Sequence, residues 1–360
     1  MLSLLGELKD ISIIFNLFNY VSFRTGGAIM TAFVMSLMMG PPMIAWLKSL
    51  QGQGQPIRTD GPETHFKKVG TPTMGGLMIL LSVSVSTILW ANPANPFIWL
   101  CLLVMVGFGS LGFVDDFLKL TKRNTAGLSS RLKLVGQAII SIAATWGITT
   151  FLPAEISTSV AIPFFKHFFI PLGILFFVWS SVVMIGASNA VNLTDGLDGL
   201  AIVPVAITAA CFGLIAYLVG RVDFAEYLQI PFVSGTSELA IICGALVGGA
   251  MGFLWFNAPP AMIFMGDTGS LSMGGVLGTI AIIVKHELVL AIIGGVFVME
   301  TVSVIVQVLS FKIRGKRVFL MAPIHHHFEK KGWSESTVVI RFWIMAMVFA
   351  LIGLSTLKLR

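Results

Sequence analysis

The feature that leaves this chain the fewest options is the recurrence of long apolar runs. They lie at roughly Gly26–Leu47, Met74–Trp90, Phe97–Phe117, Leu134–Leu152, Phe168–Ala187, Leu200–Val219, Leu239–Phe256, Ser270–Ile283, Leu288–Phe311 and Val338–Leu357. A helix of about 20 residues, rising 1.5 Å per residue, crosses the ~30 Å hydrocarbon core of a bilayer. Helices satisfy their own backbone polar groups there, where no water is available to do so. The pattern therefore predicts an all-α, polytopic integral membrane protein of about ten transmembrane helices, forming one transmembrane domain over residues 1–360. With 56% of its residues hydrophobic and only 11% charged, the chain lies outside the range of soluble domains. The eighth run is short and rich in glycine, which makes it the weakest of the ten.

Topology follows from the basic residues. The loops after the first, third and ninth runs carry Lys48, Arg58, Lys67 and Lys68; Lys119, Lys122, Arg123, Arg131 and Lys133; and Lys312, Arg314, Lys316, Arg317, Lys330 and Lys331. The positive-inside rule makes those loops cytoplasmic and both termini periplasmic. Five loops, about 48–73, 118–133, 188–199, 257–269 and 312–337, then share the cytoplasmic face. The stretch Met1–Tyr20 lacks a basic start and a small-residue cleavage site, and reads as an interfacial amphipathic segment rather than a signal peptide. Much of the net charge of +6 is accounted for by this topology, so nucleic acid is not an expected partner. Cys101, Cys211 and Cys243 each fall inside an apolar run, match no metal-ligand spacing and read as small buried hydrophobes.

The chemistry concentrates where the runs end. The third closes on adjacent carboxylates, Asp115 and Asp116, at the cytoplasmic edge, where two acids call for a cation or a polar cleft. Asn189, Asn192, Asp195 and Asp198 follow one another at steps of three, which keeps them on one face of a helix, with Gly196 and Gly199 allowing close backbone approach. Asp267 is placed just before a helix start, where Gly266, Thr268, Gly269 and Ser270 would offer backbone N–H groups to an anion. An ordinary helix cap is the plainer reading of Asp267 alone; its grouping with Asp115 and Asp116 favours a ligand. Lys68, in the stretch Lys67–Gly76, and Lys133 are either positive-inside flanks or phosphate contacts. His325, His326 and His327 are consecutive, so they do not suit one transition-metal ion and better suit contact with phosphate or substrate. Acids and oxygen donors without a cysteine ligand point to magnesium and phosphate chemistry.

These motifs carry a resemblance. Gly112–Asp116, Asn192–Gly199, Phe264–Ser270 and Pro323–Glu329 resemble the polyprenyl-phosphate N-acetylhexosamine-1-phosphate transferases, and the last, with Lys68–Gly76, resembles their muramoyl-pentapeptide branch. The resemblance covers essentially the whole chain. It implies transfer of phospho-N-acetylmuramoyl-pentapeptide from UDP-N-acetylmuramoyl-pentapeptide to undecaprenyl phosphate in the bacterial inner membrane, giving lipid I and UMP for peptidoglycan. It further implies Asp267 as the principal Mg2+ ligand and Asp115 and Asp116 as the groups that handle the lipid phosphate. Lys68, Thr73, Asn192, Asp195, Asp198, Asn257, Phe264 and Ser270 would line the donor site, with His325, His326 and His327 assisting. Lys133 is added on charge alone. Members of that family are typically homodimers embedded in membrane lipid. The alternatives are a transferase for another UDP-N-acetylhexosamine and, from a different class, a secondary transporter, whose acids belong nearer mid-membrane.

Overall fold

In the computed structural model, which describes residues 1–52, 70–122, 127–165 and 168–358, the chain is a bundle of helices with one small β-hairpin. Two short 3-10 helices, Leu2–Asp10 and Ile13–Asn19, precede α1 (Val21–Gln51), α2 (Gly76–Trp90), α3 (Pro96–Thr121) and α4 (Ser130–Phe151). The antiparallel strands β1 (Ser159–Ala161) and β2 (Phe169–Pro171) follow. Then come α5 (Leu175–Thr194), α6 (Ile202–Val219), α7 (Val222–Leu228), α8 (Leu239–Asn257), α9 (Gly266–Ile283), α10 (Glu287–Ile293), α11 (Gly295–Arg314), α12 (Ile324–Lys330) and α13 (Glu335–Ser355). Eight of these helices are long and apolar enough to cross a membrane. This is an all-α polytopic membrane protein. Of the remaining two expected spans, α2 is only 15 residues long and α9 is rich in Gly, Ser and Thr.

Local chemistry fixes the helix starts. Asn95 accepts a hydrogen bond from the Phe97 backbone at 2.9 Å with Pro96 at the first position of α3, Ser129 caps α4 and Ser334 caps α13. The ninth expected span, read as one run over Leu288–Phe311, is instead broken at Gly294 into α10 and α11. Two successive glycines there weaken the helix enough for the chain to bend.

The core is built around α8 and α9. Every residue from Thr268 to Ile283 is buried, with α3 and α5 packed against α9, and α1 and α6 against α8. Small residues make this possible. A side chain on Gly76 would collide with the Gly269 backbone, and one on Gly112 with the Asp267 carbonyl, so α2 and α3 both press directly on the first turn of α9.

Candidate active site

Asp115 and Asp116 sit near the end of α3, both about 1% exposed. Being adjacent on a helix, they point in different directions and find different partners. Asp116 faces α9. Its carboxylate accepts from the Asp267 backbone N–H at 3.2 Å, the Thr268 N–H at 3.0 Å and the Thr268 hydroxyl at 2.8 Å. The start of α9 thus uses its free N–H groups on an internal carboxylate, whereas the sequence suggested an external anion there. Asp267 is likewise within the first turn of α9 rather than ahead of it. Gly266, at φ 73°, makes the bend, and a Cβ on it would press on Asp116 Oδ2 and Thr73 Oγ1.

Asp115 turns to another side of the same cluster. Its Oδ1 accepts from the Leu128 N–H at 2.8 Å, Lys119 Nζ lies 2.6 Å from Oδ2, and Lys133 Nζ lies 3.3 Å from Oδ1. Both lysines also reach Asp267 Oδ2, Lys133 at 2.6 Å and Lys119 at 3.5 Å. Three acids from two helices and two lysines from two helices therefore meet at one point. Asp115, Asp116 and Asp267 each offer a carboxylate oxygen within 4.8 Å of the others, an oxygen-only set of a kind that holds a hard divalent cation.

A cavity of about 250 Å³ opens from this cluster. Thr73, Asp116, Asn192, Asp195, Gly196, Leu197, Asp198, Asn257, Phe264, Gly266 and Asp267 line it. The polar stripe of the sequence does not stay on one helix: α5 stops at Thr194, and Asp195 to Asp198 reach the cavity on the following turn. Asn192 accepts from the Ser270 hydroxyl at 3.2 Å, while Asn189 turns away to Gln137 and the Ile185 carbonyl. Asp198 accepts from the Ala261 N–H, and Asn257 Oδ1 from the Gly199 N–H, each at 3.0 Å. The other wall is tied by a short backbone ladder, from Phe264 N–H to the Pro72 carbonyl and from Gly75 and Gly76 N–H to Phe264 and Met265. Gln51 clamps the Thr73 backbone from both sides. Removal from water, then the neighbouring Asp267, Asp116 and Asp198, push the Asp195 carboxyl up to about 8.

A family model described as glycosyl transferase family 4 matches residues 98–285, more than half of the chain and the part that carries every acid of this site. Over almost its whole length the chain is also 61% identical to the phospho-N-acetylmuramoyl-pentapeptide-transferase of Maricaulis maris (strain MCS10), with 99% of each chain covered. The chain belongs to the phospho-N-acetylmuramoyl-pentapeptide-transferase family. A second member, from Rhodopseudomonas palustris (strain BisA53), is 60% identical with 96% of each chain covered.

The other expected site residues of this family member fall into place unevenly. The three histidines lie on a short helix, α12, rather than in a loop, and they diverge. His325 is fully buried with Nδ1 3.1 Å from Glu300 Oε1, His326 pairs with Glu329 at 2.7 Å, and His327 accepts from the Leu320 N–H at 3.1 Å. None of them is among the residues that line the cavity. Lys68 lies outside the described residues. Lys119, read in the sequence for topology alone, and Glu300 make contacts that the sequence reading did not assign, although both left a signal. Lys119 is four residues from Asp115, the spacing of an intrahelical ion pair, and Glu300 is an acid inside an apolar run.

Proposed function

We propose that this chain transfers phospho-N-acetylmuramoyl-pentapeptide from UDP-N-acetylmuramoyl-pentapeptide to undecaprenyl phosphate, releasing UMP and leaving lipid I. The observation that carries the reading is the meeting of Asp115, Asp116, Asp267, Lys119 and Lys133, two of which, Asp116 and Asp267, also line the polar cavity. In the reaction an oxygen of the lipid phosphate forms a bond to the sugar-bearing phosphorus of the donor. The bridging P–O bond breaks, and its electron pair leaves on UMP. Attack of one anion on another is opposed by charge, so cations must lie beside the reacting groups. Asp115, Asp116 and Asp267 would hold magnesium, which supplies that neutralisation.

The chain's own residues have separable tasks. Asp116, committed to three donors on α9, holds Asp267 in place. Asp115, which meets both lysines, is the better placed of the pair to take a proton from the lipid phosphate. Lys119 and Lys133 sit where a phosphate would exchange with the carboxylates for their charge. Thr73, Asn192, Asp195, Asp198, Asn257 and Phe264 form the wall for the nucleotide-sugar. An apolar groove of about 280 Å³ between α5, α9, α10 and α11 reaches Val191, next to Asn192, and suits a lipid tail. The basic residues at this end of the bundle support a site facing the cytoplasm, with ten crossings and periplasmic termini. In a cysteine-free background, a cysteine at Lys316 would be shielded from an impermeant reagent in intact cells and one at Asp223 labelled; the reverse pattern sinks this orientation.

The deciding assay presents purified protein with undecaprenyl phosphate and either UDP-N-acetylmuramoyl-pentapeptide or UDP-N-acetylglucosamine. UMP release and a lipid-linked product are expected from the first donor only, and only with magnesium. Turnover of the second donor alone would assign the chain to a different sugar, and turnover of neither would overturn the transferase reading.

A further inference from the structure

One turn beneath the acids and lysines, a buried polar relay joins three helices. The Gln137 side chain on α4 donates from Nε2 to the Ser188 hydroxyl on α5 at 3.1 Å, and that hydroxyl donates to the Leu271 carbonyl on α9 at 2.9 Å. Gln137 Oε1 accepts from Asn189 Nδ2, also at 3.1 Å. Gln137 and Ser188 are wholly buried, and none of Gln137, Ser188 and Asn189 lines the polar cavity. Gln137 is four residues beyond Lys133, and Leu271 four beyond Asp267. Residues four apart stand one above the other on a helix, so the relay repeats, one turn deeper, the link that Lys133 makes to Asp267 at 2.6 Å. On α5, Asn192 is in turn four residues beyond Ser188 and accepts from the Ser270 hydroxyl.

We infer that Gln137 is a positioning residue: through Ser188 and Asn189 it fixes the register of α4 against α5 and α9, and so holds Lys133 at Asp267 and Asp115. This rests on the reading of that cluster as the place where the reacting phosphates are neutralised. Gln137 is the first buried residue of α4; nothing from Ser130 to Gly136 is buried, so that end of the helix has no apolar anchor of its own. Apolar packing is non-directional, whereas a chain of hydrogen bonds with fixed donors and acceptors sets both the rotation and the height of a helix. A slip of one residue would turn Lys133 by about 100° and move it by about 1.5 Å. The ion pairs of Lys133 cannot supply the anchor themselves, because a phosphate that takes the lysine releases it from the carboxylates.

The test compares turnover and melting temperature of full-chain variants, assayed with UDP-N-acetylmuramoyl-pentapeptide and undecaprenyl phosphate. Gln137→Met keeps the length of the side chain and strands no donor, since Ser188 keeps the Leu271 carbonyl and Asn189 the Ile185 carbonyl. It is expected to lower kcat about tenfold, by displacing Lys133, with the KM for the nucleotide-sugar within about threefold of the parent. Ser188→Ala should do the same, and the double variant should fall no more than about twofold below the lower single, because the residues act as one relay. Ser36→Ala removes a buried bond of the same kind, from Ser36 to Ser82 at 3.0 Å between α1 and α2, and should keep kcat within about twofold of the parent. Parental kcat in Gln137→Met, an equal loss in Ser36→Ala, or losses that multiply in the double variant overturn the inference. If Gln137→Met does not fold, Ser188→Ala carries the same expectation and the same refutation. A parent chain that turns over none of this donor overturns the transferase reading itself, and the inference with it.

Discussion

Two buried ionic clusters stand at opposite ends of the same bundle, and they are built by different rules. At the start of α3, Arg24 meets Glu238 through two parallel hydrogen bonds of 2.7 and 2.5 Å, and the remaining bonds go to the Trp90 carbonyl and from the Asn92 N–H. One cation meets one anion in fork geometry. Some 20 residues along α3, about 30 Å away, three acids share two lysines, and both lysines divide themselves between Asp115 and Asp267. The first cluster pairs its charges one to one. The second carries one more negative charge than positive, and its lysines reach more carboxylates than they can serve. A balanced pair makes a joint; an unbalanced, shared set makes a place where charge can be exchanged with a substrate.

The largest expected effect separates the two directly. Asp267→Asn keeps the shape of the first turn of α9 and removes only charge, so turnover should fall at least about a hundredfold while thermal stability hardly moves. Glu238→Gln should do the reverse. It leaves Arg24 buried without its counter-charge, at a cost of about 3–5 kcal/mol, yet turnover per folded molecule should persist. Parallel measurements of melting temperature and rate on both variants check this. Retention of more than a tenth of the activity by Asp267→Asn at saturating magnesium would erase the distinction.

A smaller effect sharpens the comparison inside the second cluster. Asp116 is part joint and part site, so Asp116→Asn should lower turnover and also cost about 1.5–3 kcal/mol of stability through its weakened bonds to α9. Asp115→Asn should lower turnover with the smaller loss of stability, because Lys119 and Lys133 keep Asp267 as a counter-charge. Denaturation curves for the two variants that coincide would show that the adjacent acids do not differ in this way.

The smallest effect concerns protons. With its carboxyl pushed up to about 8, Asp195 is mostly neutral at pH 7. Its neighbours Asp267 and Asp116 contribute to that rise, so a divalent cation beside them lowers the Asp195 value and releases a proton. Magnesium titrations at pH 7, run calorimetrically in two buffers of different ionisation enthalpy, should show a fraction of a proton released per ion. That fraction should shrink as the pH passes 8 and be smaller in Asp195→Asn. Equal release by Asp195→Asn would place the proton elsewhere.

What the sequence made legible follows from how far each signal acts. The apolar runs report a solvent, the bilayer, that acts on every residue in them, so the long helices stand where the runs do. Asp115, Asp116 and Asp267 were legible because an acid at the end of such a run is costly unless a cation or a polar cleft receives it. Less visible was everything decided by contacts across the bundle. Nothing local says that Asp116 would take the N–H groups of α9, because Thr268 is 152 residues away. The helical stripe from Asn189 to Asp198 failed at Thr194, where the Asp195–Gly199 turn, packed under Leu197 and Leu200, competes with helix continuation. The break at Gly294 was visible as two glycines, but an apolar run hides a bend, since both halves remain equally apolar.

The Asp198 turn has a wider reach than its position suggests. The Asp198 N–H donates to Glu335 Oε1 at 3.0 Å, the Trp343 indole donates to the Gly199 carbonyl at 3.1 Å, and Leu197 and Leu200 rest among Val338, Val339 and Phe342. The last long helix is therefore the foundation on which one wall of the cavity stands. Chain ends are ordinarily the places where a protein tolerates extension, fusion or trimming. Here a change that tilts or rotates α13 is transmitted as a change in the shape of the cavity, so a helix remote in sequence from the acids behaves as part of the lock.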